Sequence, residues 1–153
     1  MPERQVKTTY RQATPEDARR LFDVRQKSII ALAPRGMPTA LAEMWAADLT
    51  VIGMRRKIRK FEIWIAELDG TVVGWGAIHG DRLEGLYTAP EFAGQGIGTE
   101  LLSLLEDLMR ERGIPAVQAD ASANAEEFYR RRGYTAAGDR TPEGARPIAK
   151  RLS

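Results

Sequence analysis

The sequence predicts an α/β fold: an α+β mixed sheet, central and mostly antiparallel, of six to seven strands with helices on both faces. Three observations predict it. Runs at residues 61–68, 71–79 and 83–88, punctuated by Asp69-Gly70 and Gly80-Asp81, read as an antiparallel meander. A glycine-rich segment, Gly94-Gln95-Gly96-Ile97-Gly98, then precedes a strongly helical run at residues 99–112. Beyond it, residues 116–121, 124–132, 134–137 and 146–152 alternate as strand, helix, strand and strand.

Residues 8–12 read as the first strand. Thr14-Pro15-Glu16-Asp17 is a helix start, with a capping residue, proline at the first position and acids in the first turn. That helix is expected to reach about residue 32, where Ala33-Pro34-Arg35-Gly36-Met37-Pro38 breaks it. Residues 39–49, carrying Leu41, Met44, Trp45 and Leu49, read as a second helix, and residues 58–61 as a short helical turn. Gly85 is unusual inside a strand, and marks either a bulge with close approach of a ligand or backbone, or simple tolerance at an edge. In the run after the glycines, Ile97, Leu101, Leu102, Leu104, Leu105, Leu108 and Met109 form one apolar face. Burial of that face pins the helix and aims its N-terminus at a fixed point.

Length and composition bound the rest. The 153 residues suffice for one domain with a real core, expected to span 1–153, and are too few for two. No apolar run approaches membrane-spanning length and the first residues are polar, so the expected setting is the cytoplasm, with no membrane partner. The absence of cysteine excludes disulfides, thiolate metal sites and acyl-cysteine chemistry, and a single histidine, His79, argues against a zinc site; no metal is expected. Net charge is only +2, and the clusters Arg55, Arg56, Lys57, Arg59, Lys60 and Arg130, Arg131, Arg132 read as solvated helix surface rather than a phosphate or nucleic-acid patch. Monomer and homodimer both stay open.

The glycine segment carries the chemistry. Alternate glycines bring backbone N–H groups close to an anion, and the following helix adds unpaired N–H groups and its positive dipole end, so the expected ligand is a phosphate or pyrophosphate. A nucleotide P-loop requires Lys and then Ser or Thr after its last glycine; Gly98 is followed by Thr99 and Glu100. A dinucleotide loop requires G-x-G-x-x-G directly after a strand. Asp120 suits its acidic partner, but the spacing here is G-x-G-x-G and a segment containing Pro90 intervenes. The pyrophosphate loop of acyl-coenzyme A transferases is the third possibility.

Four stretches in order, Leu83-Glu84-Gly85-Leu86-Tyr87-Thr88-Ala89-Pro90, Gly94-Gln95-Gly96-Ile97-Gly98-Thr99, Glu100-Leu101-Leu102 and Ala125-Glu126-Glu127-Phe128-Tyr129-Arg130-Arg131-Arg132-Gly133-Tyr134, resemble the GNAT superfamily of acetyl-CoA-dependent N-acetyltransferases. The resemblance covers the order of elements over nearly the whole chain and is specific over residues 61–134. It implies a GNAT-type fold and acetyl-CoA as cofactor, with Leu86, Tyr87 and Thr88 pairing with the pantetheine arm and Ala93, Gly94, Gln95, Gly96, Ile97, Gly98 and Thr99 wrapping the pyrophosphate. Two positions depart from the family pattern. Ala93 stands where the family usually has Arg or Gln, which removes a side-chain donor. Ser122 stands where the family often has Asn, seven residues before Tyr129, while Asn124 is out of register and reads as a helix cap.

Acyl transfer from a thioester to an amine needs a neutral amine, a stabilised oxyanion and a proton for the departing thiolate. Without cysteine, direct attack in a ternary complex is the natural route, with the oxyanion met by a backbone N–H near Leu86. By resemblance, Tyr129 matches the general acid that reaches the coenzyme sulfur; an aromatic plug on its helix is the plainer alternative. Glu84, His79 or a water is the base. Glu84 should share a strand face with Leu86 and Thr88 unless a bulge re-aims it. The resemblance places the acceptor between the first two helices and the central strands, making Arg25, Ile29, Met37, Trp45 and Trp64 its candidate walls, with His79 at the neighbouring strand end. The acceptor is a small-molecule or peptide amine. A non-catalytic acyl-CoA binding or sensing module is the rival reading.

Overall fold

The computed structural model describes residues 8–36 and 49–152, residues 32–36 by their backbone alone. Its elements are β1 (Thr8–Gln12), α1 (Ala18–Gly36), α2 (Val51–Lys60), β2 (Glu62–Leu68), β3 (Thr71–His79), β4 (Arg82–Thr88), α3 (Ile97–Glu111), β5 (Ala116–Ala121), α4 (Glu126–Arg130), β6 (Thr135–Ala136) and β7 (Arg146–Arg151). The strands form one seven-stranded sheet in the order β1-β2-β3-β4-β5-β7-β6, antiparallel throughout except where β4 meets β5. The predicted mixed sheet with helices on both faces is therefore present.

Three boundaries differ from expectation. α1 runs past Pro34 to Gly36. Proline there removes the hydrogen bond to the carbonyl of Ile30, a residue that is itself exposed, near the helix end. The helical turn expected at residues 58–61 is the end of a ten-residue helix, α2, begun by Thr50, whose Oγ1 accepts the Gly53 N–H at 3.0 Å. α4 is shorter than expected, because the chain turns back through Gly133 (φ 95°) and the Tyr134 N–H closes on the Tyr129 carbonyl at 3.1 Å. The expected helix at 39–49, with Leu41, Met44 and Trp45, lies outside the described residues apart from Leu49, which is buried.

The core has two layers. On one face α3 buries Leu102, Leu105 and Met109 against Ile78, Leu83, Val117 and Ile148. Its axis lies close to β3 because Gly76 carries no side chain; a Cβ there would lie 2.7 Å from Leu105 Cδ1. On the other face α1 and α2 pack Leu21, Val24 and Met54 against Ile63, Ile65 and Trp75. The Trp75 indole N–H donates to the Leu21 carbonyl at 2.9 Å, fixing α1 on the sheet. The start of α1 is held by Asp17, which accepts from both terminal nitrogens of Arg11 (2.8 and 2.7 Å) and from the Thr14 N–H at 2.8 Å. These contacts pull the Asp17 carboxyl down to about 2.

Candidate active site

The site begins with a bulge. In the β3/β4 ladder Ala77 faces Gly85 but Ile78 faces Leu83, so Glu84 is the extra residue. A Cβ on Gly85 would lie 3.0 Å from the Tyr87 ring and 3.5 Å from Trp75, so the glycine accommodates two crossing aromatics. The bulge falls one residue earlier than Gly85 and leaves β4 paired with β3 through Thr88. What it changes is direction. Ala89 N–H donates to the Val73 carbonyl at 2.8 Å, and hydrogen-bonded pairs alternate along an antiparallel ladder, so Tyr87 and Gly85 bond toward β3. Leu86 and Thr88 therefore turn their N–H and C=O groups the opposite way, toward β5.

Among the described residues no strand receives them there. β4 and β5 pair only at Arg82 and Gln118, with the Gln118 N–H on the Asp81 carbonyl at 2.8 Å, and beyond that point they diverge. The gap opens into two adjoining clefts. One, of about 420 Å³, is lined by Glu84, Gly85, Leu86 and Tyr87 of β4, by Ala119 to Ser122 on the β5 side and by Arg25, Ser28 and Ile29 of α1. The other, of about 370 Å³, is lined by Leu86, Thr88, Pro90, Ala93, Gly98 and Phe128. Ser28, Leu86, Asn124, Ala125 and Tyr129 border both.

The second cleft ends at the glycine loop. Gly94 and Gly96 take φ of 80° and 82°, in the left-handed region, and the space around a Cβ at either is open. Gly96 is the N-cap of α3, and the first intrahelical bond is Glu100 N–H to the Gly96 carbonyl at 2.9 Å. The N–H groups of Ile97, Gly98 and Thr99 thus have no intrahelical acceptor, and they sit at the positive end of a fifteen-residue helix. Gln95 is exposed, as is Ala93. This is a backbone cradle for an anion continuous with the free edge of β4, and it fits a long ligand with an amide-bearing arm and a phosphate end.

Tyr129 stands at the junction. It is 8% exposed and packs edge-on to Phe128 and Tyr134, with ring centroids 5.2 and 5.3 Å away. Burial pushes its phenol well above the ordinary tyrosine value, with the neighbouring Tyr87 adding to the shift. The group is therefore a protonated hydroxyl at neutral pH. Ser122 starts the turn ahead of α4, its carbonyl accepting the Ala125 N–H at 2.9 Å and the Glu126 N–H at 3.1 Å. The N-cap is Ala125, without a side-chain bond, so Asn124 is not the cap that spacing predicts; it lines the clefts instead.

The first cleft is charged. The bulge re-aims Glu84 away from the face it would share with Leu86 and Thr88: it pairs with Arg82 at 3.6 Å, and its charge acts on Lys57 of α2. The Lys57 amine is pushed down, by burial first and by the nearby Arg25 second. Arg25 lies over the Tyr87 ring, its guanidinium carbon 5.9 Å from the centroid. Ile29 lines the same cleft, and Asp120 and Glu143 complete its rim. Two expected walls lie elsewhere. Trp64 packs on the α3 face and donates to Glu62 at 2.8 Å, because its position on β2 pairs with Gly76, which faces α3. His79 is exposed at the hairpin tip against Phe61, ring centroids 5.5 Å apart, and lines neither cleft. Met37 and Trp45 lie outside the described residues.

Sequence reasoning passed over Ser28, Phe128 and Arg132. Ser28 is signalled by its spacing from Arg25 and Ile29, on one side of α1. Arg132 was read as solvated surface with its two neighbours, and the structure separates it from them. Arg130 and Arg131 bind Glu127, at 2.8 and 3.1 Å, whereas Arg132 turns inward to the start of α3. The signal was present: Glu127 lies three and four residues before the first two arginines, while Arg132 has Tyr129 and Phe128 at those spacings.

Comparison with known proteins places this geometry. The model of the acetyltransferase (GNAT) family matches residues 27–134. No curated protein matches the sequence. Among solved structures, a GCN5-related N-acetyltransferase from Rhodopseudomonas palustris superposes with a TM-score of 0.87 at 27% identity, over 98% of this chain and 99% of that one. The PaiA N-acetyltransferase from Thermoplasma acidophilum, solved with coenzyme A, gives a TM-score of 0.80 at 20% identity, over 95% and 99%. The N-acetylglutamate synthase from Neisseria gonorrhoeae, complexed with coenzyme A and N-acetyl-glutamate, gives 0.71 at 21% identity, over 98% of this chain and 36% of that one. With its splayed β4 and β5, its bulge and its backbone cradle, the chain belongs to the acetyltransferase (GNAT) family and is an N-acetyltransferase of that type.

Proposed function

We propose that residues 1–153 act as one domain that transfers an acetyl group from acetyl-CoA to a primary amine by direct attack in a ternary complex. The observation that carries the reading is the continuity of three features: the outward-facing backbone of Leu86 and Thr88, the buried phenol of Tyr129 and the N–H cradle ahead of α3. Acetyl-CoA supplies the activated thioester carbonyl. The chain's own groups do the rest. The N–H groups of residues 94–99 bind the diphosphate, and the free edge of β4 pairs with the amides of the pantetheine arm.

The Leu86 N–H meets the negative charge that develops on the acyl oxygen as the C–N bond forms and the C–S bond breaks. Tyr129, held protonated by burial, gives its proton from Oη to the departing sulfur and recovers one from solvent. The proton leaving the amine passes to Glu84, directly or through a water. Glu84 and Arg25 occupy the first cleft, which we assign to the acceptor. Its acids suit an ammonium-bearing small molecule or peptide end.

Calorimetric titration with acetyl-CoA and with a nicotinamide dinucleotide, followed by a thiol-release screen over amines, tests the reading. Micromolar binding of acetyl-CoA alone and amine-dependent thiol release are expected. Binding with no thiol release across small amines, amino acids and peptides would instead identify an acyl-CoA sensing module. Preference for the dinucleotide would overturn the donor assignment.

A further inference from the structure

The loop lacks a side-chain cation: Ala93 and Gln95 carry none, and Gly94, Gly96 and Gly98 have no side chains. A charge nevertheless stands beside it. Arg132 folds back from the end of α4, donating from Nη1 to the Phe128 carbonyl at 2.7 Å and from Nε to Thr99 Oγ1 at 3.0 Å. Its guanidinium carbon lies 3.7 Å from the centroid of the Phe128 ring. Thr99 is the third residue of α3, within the turn whose N–H groups lack intrahelical acceptors. Among the described residues no carboxylate lies within ion-pair distance of Arg132, whereas Arg130 and Arg131 both pair with Glu127. Its charge is thus fixed by a ring, a carbonyl and a neutral hydroxyl.

Phe128, on which Arg132 stacks, forms one wall of the second cleft, and Ala93 lines the same cleft. A cationic fork beside helix N–H groups presents charge-assisted donors in the geometry that suits phosphate oxygens. We propose that Arg132 is a binding residue for the diphosphate of the acyl-CoA donor, supplying from α4 the cation that the loop lacks at Ala93. The inference rests on the acetyl-CoA reading above and assigns part of that site to a residue outside the loop.

The test is calorimetric titration of the full chain and of Arg132→Gln and Arg131→Gln with coenzyme A, 3′-dephospho-coenzyme A and pantetheine. Arg132→Gln is expected to weaken both diphosphate ligands alike, by roughly 10- to 100-fold, while pantetheine changes less than about 3-fold. Arg131→Gln should leave all three within about 2-fold. Adding Ala93→Arg to Arg132→Gln should recover most of the loss, a result that structural damage to α4 would not give. Unchanged affinity, a loss confined to the 3′-phosphorylated ligand, an equal loss in Arg131→Gln, or an equal loss with pantetheine would each overturn the proposal. Failure of the unaltered protein to bind any of the three would instead count against the acetyl-CoA reading itself.

Discussion

The two sides of the gap, one proposed for the donor and the other for the acceptor, are built from different materials. On the side proposed for the donor, β4, the glycine loop and the first turn of α3 offer backbone groups at fixed φ and ψ, and the side chains lining the cleft beside them are uncharged. On the side proposed for the acceptor, α1 and the bulged β4 offer charged side chains, Arg25, Arg82 and Glu84, each held by a neighbouring charge or ring. Backbone recognition tolerates little change at its glycines and much at the residues between them. Side-chain recognition is retuned by single substitutions. Under the proposed assignment, one cradle would serve the donor while the opposite wall would specify the acceptor.

The largest expected effect comes from breaking the backbone half. Gly96→Val places a β-branched residue at φ 82° and fills the open space above the loop, and should weaken acetyl-CoA binding by roughly 100-fold or more. Gln95→Ala, one residue away, should change it less than about 3-fold. Equal losses in a titration of the two variants would show that side chains, not N–H groups, hold the diphosphate.

At the junction, Tyr129→Phe should lower turnover by roughly 100-fold with little change in donor affinity. Steady-state rates beside calorimetry separate the two quantities. Unchanged turnover would leave Tyr129 as packing against Phe128 and Tyr134.

On the side-chain half the effects should be smaller and dependent on pH. Glu84→Gln should depress the rate by about 10-fold at low pH, where the amine is mostly protonated, and recover as pH rises toward the amine's own value near ~10. His79→Ala should do less, since His79 lines neither cleft. The assignment fails if Glu84→Gln leaves the pH-rate profile unchanged while His79→Ala removes its acidic limb.

The smallest effect concerns the latch that seats α1. Asp17 falls from an ordinary 3.8 to about 2 on folding, so its contribution is present above pH ~4 and is lost as pH drops toward 2. Asp17→Asn should therefore cost on the order of 1–2 kcal/mol at neutral pH, seen as a lower melting temperature, with the difference closing in acid. Donor affinity should move less than about 2-fold. A large loss of coenzyme binding would mean that the two halves are not separable in this way.

This division also governs how much the sequence disclosed. The meander turns, the α3 stripe and the glycine loop were legible because each needs particular residue types at fixed spacing. Gly85 marked the bulge to within a residue, yet the sequence did not reveal that Glu84 would be the extra residue and so change faces, since a one-residue shift inverts every side chain after it. Trp64 and His79 were assigned to the acceptor cleft, and register sends one to the α3 face and leaves the other at a hairpin tip. Arg132 was hidden in a run of three identical residues, and only the helix spacing to Glu127 distinguishes it. Side-chain pockets assembled from distant elements leave no comparable periodic trace.

The most direct test of the account is a crystal structure of this protein with coenzyme A. The account predicts the diphosphate against the N–H groups of residues 94–99, the pantetheine amides on the β5-facing edge of Leu86 and Thr88, and the sulfur within about 3.5 Å of Tyr129 Oη. Coenzyme A bound away from the gap between β4 and β5, or with its sulfur out of reach of Tyr129, would contradict it.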